Sequence, residues 1–135
     1  MMDGKKKFIQ LKDLEIYQLS RKLSAIAWGI NSRLSYQEKK TWGDQMLESI
    51  DSVGANIAEG YGRYHYLEKM RFYFISRASL SEGKEHWLDL GFERGQISQE
   101  ESDQICVIHK PLQIKLNNMI SKTYESKKGG ENGRN

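Results

Sequence analysis

Few residues in this chain have the types and spacings that metal or covalent chemistry requires. Its three histidines are His65, His86 and His109. A di-iron centre inside a helical bundle takes carboxylates from facing helices and a Glu-x-x-His pair on two of them. Here Glu82 and His86 stand four apart, and no second half completes such a site. The expectation is no metal and no cofactor. A nucleophilic thiol needs a base and a cleft, and nothing around the single cysteine, Cys106, suggests either. It reads as a small buried hydrophobe. Gly60 and Gly62 are not followed by Gly-Lys-Ser/Thr and no strand precedes them, so they form no phosphate loop. The chain is therefore expected not to be an enzyme.

What remains is charge. The net +3 comes from 21 basic and 18 acidic residues, unevenly spread. Residues 1–12 hold four lysines against Asp3, and residues 122–135 hold four basic residues against Glu125 and Glu131. Between them, residues 13–121 carry 13 basic and 15 acidic side chains, or −2. Within that body, Arg63, Lys69, Arg71, Arg77 and Lys84 face only Glu68 and Glu82 over residues 61–84. Residues 85–103 hold six acids against Arg94. One end of the molecule should attract phosphates and the other repel them. The five cations are the candidate nucleic-acid contacts, with Lys5, Lys6 and Lys7 as a non-specific arm.

Four helices must position these groups. Ile16, Leu19, Leu23, Ile26 and Ile30 recur at alternating intervals of three and four, one face of a helix. Ser35 and Glu38 have capping-box spacing, and Trp42, Met46, Ile50, Val53 and Ile57 mark the second helix's buried face. The third spans about 66–93 with two apolar stripes. Leu67, Met70, Phe74, Ala78, Ser81 and Leu88 define one, read as the core face; Tyr66, Tyr73, Leu80 and Trp87 repeat every seven residues roughly 100° away. A helix in a four-helix monomer buries one face, so the second stripe is assigned to a subunit interface. Gly95 closes this helix, and Ser98 with Glu101 repeats the capping-box spacing before a fourth, with Ile105, Ile108, Leu112, Met119 and Ile120 on its apolar side. Pro111 falls inside it and should kink it.

Short connections imply an all-α, antiparallel, up-down-up-down four-helix bundle. The expected organisation is a basic flexible arm at 1–12, the bundle at 13–125 and a disordered tail at 126–135. No run approaches the ~20 apolar residues of a membrane span, no signal peptide precedes the arm, and one cysteine suits a reducing cytoplasm.

Asn56, Ile57, Ala58, Glu59, Gly60, Tyr61, Gly62 and Arg63 form an unusual helix end. Asn56 is a poor helix former, Glu59 and Arg63 are spaced to pair, and Gly54, Ala55 and Ala58 let another backbone approach. One reading is a polar cluster shown to a ligand or partner; the other is packing and capping of the second helix against the third. Asn56, Ile57, Ala58, Glu59 and Gly60 with Gly62 and Arg63, then Phe74 and residues 78–82, resemble the four-helix-bundle family named for proteins encoded in intervening sequences of 23S ribosomal RNA. Asp13, Leu14, Glu15, Ile16 and Tyr17 resemble that family's opening, and Gln45, Ser52 and Val53 match its second helix.

The resemblance covers roughly residues 12–124. It implies an antiparallel bundle that closes into a ring, commonly a homopentamer, and brings no catalytic residues. A related group of barrel-shaped proteins serves as accessory partner of reverse transcriptases in diversity-generating retroelements. The first expectation is thus a non-enzymatic homo-oligomer that binds structured RNA, or DNA, through its basic patch. The alternatives are a protein-binding adaptor, for example for a reverse transcriptase, using Tyr66, Tyr73, Trp87 and Phe72, and a purely structural oligomer.

Overall fold

The computed structural model describes residues 8–134, with side chains for 8–126. A 3-10 turn at Leu11–Asp13 leads into α1, Glu15–Arg33. Helix α2 (36–62) is continuous through Tyr36–Glu38, a wide π-type segment Lys39–Gly43 and Asp44–Gly62. Helix α3 (66–93) runs through Tyr66–Leu80, a second π-type segment Ser81–Leu88 and Asp89–Glu93. Helix α4, Gln99–Arg134, continues through Pro111. Among the described residues there is no strand. None of these helices is long and apolar enough to cross a membrane.

Helix starts follow local chemistry. Ser35 Oγ accepts from the Glu38 amide at 3.1 Å while Glu38 Oε1 accepts from the Ser35 amide at 2.8 Å. Ser98 and Glu101 repeat the arrangement at 3.1 and 3.0 Å. Each box satisfies two amides that a helix start otherwise leaves to water. After α3 the chain reverses at Gly95, whose φ of 75° suits a residue without a Cβ.

The core is one cluster drawn from all four helices. The apolar spacing of α2 is reproduced in full: Trp42, Met46, Ile50, Val53 and Ile57 are all buried. On α1, Ile16, Leu23, Ala27 and Ile30 are buried, with Leu19 and Ile26 packed beside them. On α4, Ile105, Leu112 and Ile120 are joined by Leu116, which the periodicity did not single out. Close contacts pair Trp42 with Gly91, Ile50 with Gly83 and Gly60 with Tyr73 between α2 and α3. Arg33 meets Glu101, and Glu15 meets Lys115 at 3.2 Å, between α1 and α4.

The π-type winding in α3 explains a register change. Trp87 Nε1 donates to Glu82 Oε2 at 3.0 Å and Lys84 Nζ to Asp89 Oδ1 at 3.0 Å, both five residues apart. Five-residue spacing aligns side chains in a π-turn. Leu88 is buried and Trp87 only half-buried, so the wide turn sets Leu88 under Leu80. A strict seven-residue repeat cannot continue across it.

Part of the sequence-based organisation lies beyond these residues. Lys5, Lys6 and Lys7 are outside the described residues. Helix α4 continues through the stretch expected to be a tail, and its side chains from 127 onward are outside the described residues.

Candidate nucleic-acid interface

The five candidate cations fall into three environments. Arg63 Nη2 donates to Glu59 Oε2 at 2.9 Å, and its Nε lies 3.7 Å from Glu68 Oε1. Lys69 Nζ reaches back to the carbonyls of Gly60 and Tyr61 at 3.2 and 3.1 Å. It thereby satisfies acceptors that the end of α2 leaves open, and burial pulls its pKa down. Lys84, with 14% of its side chain exposed, is tied to Asp89. Arg71 and Arg77 are different: both are exposed, and among the described residues neither meets a carboxylate. Their guanidinium carbons lie 5.4 Å from the Phe72 ring centre and 5.1 Å from that of Phe74. Arg77 also donates to Asn117 Oδ1 at 3.2 Å. The patch read as five open charges is thus two open charges backed by aromatic rings.

The two stripes of α3 exchange roles in part, since Leu88 is buried and Met70 packs against the core as read. Tyr73 and Leu80, assigned to a subunit interface, are each 1% exposed inside the chain's own core. Tyr66 and Trp87 are half-buried at its margin. Four of the six residues read as core look outward instead: Leu67 and Phe74 are 59% and 43% exposed, and Ala78 and Ser81 are exposed too. Arg71 lies on that outward face, and Ile75 borders it. The deciding residue is Ser76, buried, whose hydroxyl donates to the Val53 carbonyl at 2.8 Å. A buried hydroxyl is tolerated in a core once it is hydrogen-bonded, and this bond lets the Tyr73–Leu80 side face α2.

Within the block from Asn56 to Arg63, several side chains are engaged in local bonds and packing, while Glu59 and Arg63 stay exposed. Asn56 Nδ2 donates to the Ser52 carbonyl at 2.8 Å, Ile57 is fully buried, and Ala58 is half-buried. A Cβ on Gly60 would lie 2.7 Å from Tyr73 Cε1, so glycine lets α3 close against α2. Gly62 has open space and ends the helix.

The family model for the 23S rRNA-intervening sequence protein matches residues 12–118. The chain belongs to that family. A crystal structure of a protein of unknown function from the S23 ribosomal protein family of Bacteroides thetaiotaomicron has the same fold. Its TM-score is 0.72 at 20% identity, over 79% of this chain and 96% of that one. No curated protein matches the chain.

The remaining chemically capable residues are dispersed among the described part of the chain. Among the described residues no cluster of His, Cys, Asp or Glu is placed to hold a metal. His65 caps α3, its Nδ1 accepting from the Leu67 amide at 3.2 Å. His86 sits edge-on to Trp87. His109 is half-buried with Nε2 unpartnered, and burial, then nearby Lys84, holds its pKa below the usual imidazole range. Cys106 is exposed, not buried, because α4 turns only its neighbour Ile105 inward. Sequence reasoning also passed over a cleft where Tyr61, Tyr64, Tyr66, Tyr73, Lys69 and Lys122 converge. The dense tyrosine spacing over 61–73 was its only sequence signal.

Proposed function

We propose that this protein is a non-enzymatic homo-oligomeric bundle, with helices running up-down-up-down, that binds structured RNA through Arg71 and Arg77. The observation that carries the reading is the state of these two guanidiniums: exposed, backed by phenyl rings and, among the described residues, unclaimed by carboxylates. Such groups keep their full charge for phosphate and present a flat face for stacking.

Self-association is supported by the outward face of α3. Leu67, Phe74 and Ile75 stand exposed on or beside that face, large apolar side chains of the kind that anchor an interface. A second, different apolar surface carries Val107 and Ile114, seven residues apart on α4 and 75% and 52% exposed. Contact between unlike patches generates rings when the rotation closes. Five-fold closure comes from the family resemblance alone. A ring repeats a weak two-charge patch and raises its affinity through avidity. The up-down order is supported by residue pairings that run in opposite senses along α2 and α3, from 42 with 91 to 60 with 73. The protein-adaptor reading, including a reverse transcriptase as partner, is favoured by the same exposed apolar residues.

The test is titration of the full chain into a fluorescent RNA hairpin at low and moderate salt, beside sedimentation. Replacing Arg71 and Arg77 together by Glu should cost at least tenfold in affinity at low salt with the sedimenting mass unchanged. Unchanged affinity overturns the assignment. Loss of the oligomer reassigns both arginines to the subunit contact.

A further inference from the structure

The corner where α2 hands over to α3 holds a cleft of about 270 Å³ beside residues 119–126 of α4. Tyr61, Tyr64, Tyr66, Tyr73, Lys69 and Lys122 line it, and among the described residues no carboxylate does. Tyr64 is 99% exposed, on the three-residue connection between two helices. The connection is itself held firmly, by Arg63 on Glu59 and by the His65 cap. An aromatic ring carried entirely in water on an ordered connection contributes nothing to the core, and its π face is free.

The floor is polar in a specific way. Tyr73 is 1% exposed as a whole, and its hydroxyl oxygen, which makes no hydrogen bond among the described residues, keeps its contact with solvent in the cleft. Burial pushes its pKa up to about 12, so it stays a neutral O–H donor. Lys69 spends two of its three donors on the Gly60 and Tyr61 carbonyls and keeps one. Lys122 is exposed at the opposite wall and unpaired among the described residues.

A free aromatic face, two ammonium groups and a solvent-facing hydroxyl donor suit a ligand with a flat ring and an anion. We propose that this cleft takes an unpaired nucleotide of single-stranded RNA, its base on the Tyr64 ring and its phosphate between Lys122 and Lys69. The proposal rests on the RNA reading above and adds the substrate class. Bases inside a duplex have both faces covered, so only a looped-out or terminal nucleotide can enter.

The experiment uses the full chain, a single-stranded oligonucleotide carrying 2-aminopurine, and the duplex of the same sequence. Stacking should quench the fluorophore in the single strand only. Because Tyr64 touches no core residue, Tyr64→Ala leaves the fold intact; it should weaken single-strand binding about tenfold, the scale of one base–aromatic stack. Duplex affinity should not change. Tyr64→Phe should retain binding, and Lys122→Ala should lower the salt slope by about one counterion. Single-strand binding unaffected by Tyr64→Ala overturns the cleft assignment, while duplex binding sensitive to Arg71 and Arg77 leaves the broader RNA reading in place. Adenosine monophosphate displacing the strand at equal concentration also overturns it, in favour of a free nucleotide. No binding of either RNA at low salt overturns both readings.

Discussion

Removing Glu101 separates two contributions that the fold places on one carboxylate. Its Oε1 accepts from the Ser98 amide at 3.0 Å, closing the capping box of α4. The same carboxylate holds Arg33 of α1 through both oxygens, Nη2 to Oε1 measuring 2.7 Å. Arg33 Nη2 also donates to the Gln96 carbonyl at 2.8 Å, so one cluster ties α1 to the start of α4. The hydrogen bond from Arg33 is the main reason the Glu101 pKa falls from 4.5 to about 2. Undiminished, that depression corresponds to about 3 kcal/mol. The Arg33 side chain is 45% exposed, and solvent screening reduces the contribution to about 1 kcal/mol.

Glu101→Gln keeps a side chain able to close the box and removes the charge, so it should cost about 1 kcal/mol. Glu101→Ala removes the cap as well and should cost about 2 kcal/mol. The folded carboxyl ionises more readily than the unfolded one. Its stabilisation is therefore present above about pH 4.5 and is lost as pH falls toward 2. Urea denaturation across that range should show the gap between wild type and Glu101→Gln closing, and 1 M salt at neutral pH should narrow it. Equal stability at neutral pH, or a gap that persists at pH 2, would refute the reasoning.

Three further outcomes follow from the placement of α3. Phe74→Asp should dissociate the oligomer while circular dichroism stays helical, because Phe74 is 43% exposed. Leu80→Ala, inside the core at 1% exposure, should instead lower the unfolding free energy by about 3 kcal/mol. Sedimentation paired with denaturation distinguishes the two, and the reverse pattern would restore the Tyr73–Leu80 stripe as the interface. Gly60→Ala should cost about 1–3 kcal/mol by driving a methyl into the Tyr73 ring, whereas Gly62→Ala, with open space, should change stability by less than about 1 kcal/mol.

Much of the fold is legible in residue spacing. The α2 stripe from Trp42 to Ile57 and both capping boxes depend on local geometry that spacing encodes directly. The two faces of α3 are not separable that way. Both carry aromatic and aliphatic residues, and the choice turns on Ser76 finding the Val53 carbonyl and on Gly60 admitting Tyr73, contacts across 23 and 13 positions. The π-type segments are hidden for a similar reason, since their i to i+5 alignment breaks the periodicity used to find helices. On the candidate interface, sequence locates every cation but not its partner. Lys69 turns back onto helix-end carbonyls and Lys84 onto Asp89, and the tyrosine cleft forms only when α4 closes over the α2–α3 corner.

The central claim is that folded α3 surfaces, rather than the basic ends of the chain, hold structured RNA. The most direct measurement is the slope of log affinity against log salt for the full chain and for a chain shortened to residues 13–125. Retention of a slope of at least about two released counterions in the shortened chain is the predicted result, one for each of Arg71 and Arg77. A slope that vanishes with residues 1–12 and 126–135 would contradict it, placing the charge that matters in the ends and leaving α3 with self-association alone.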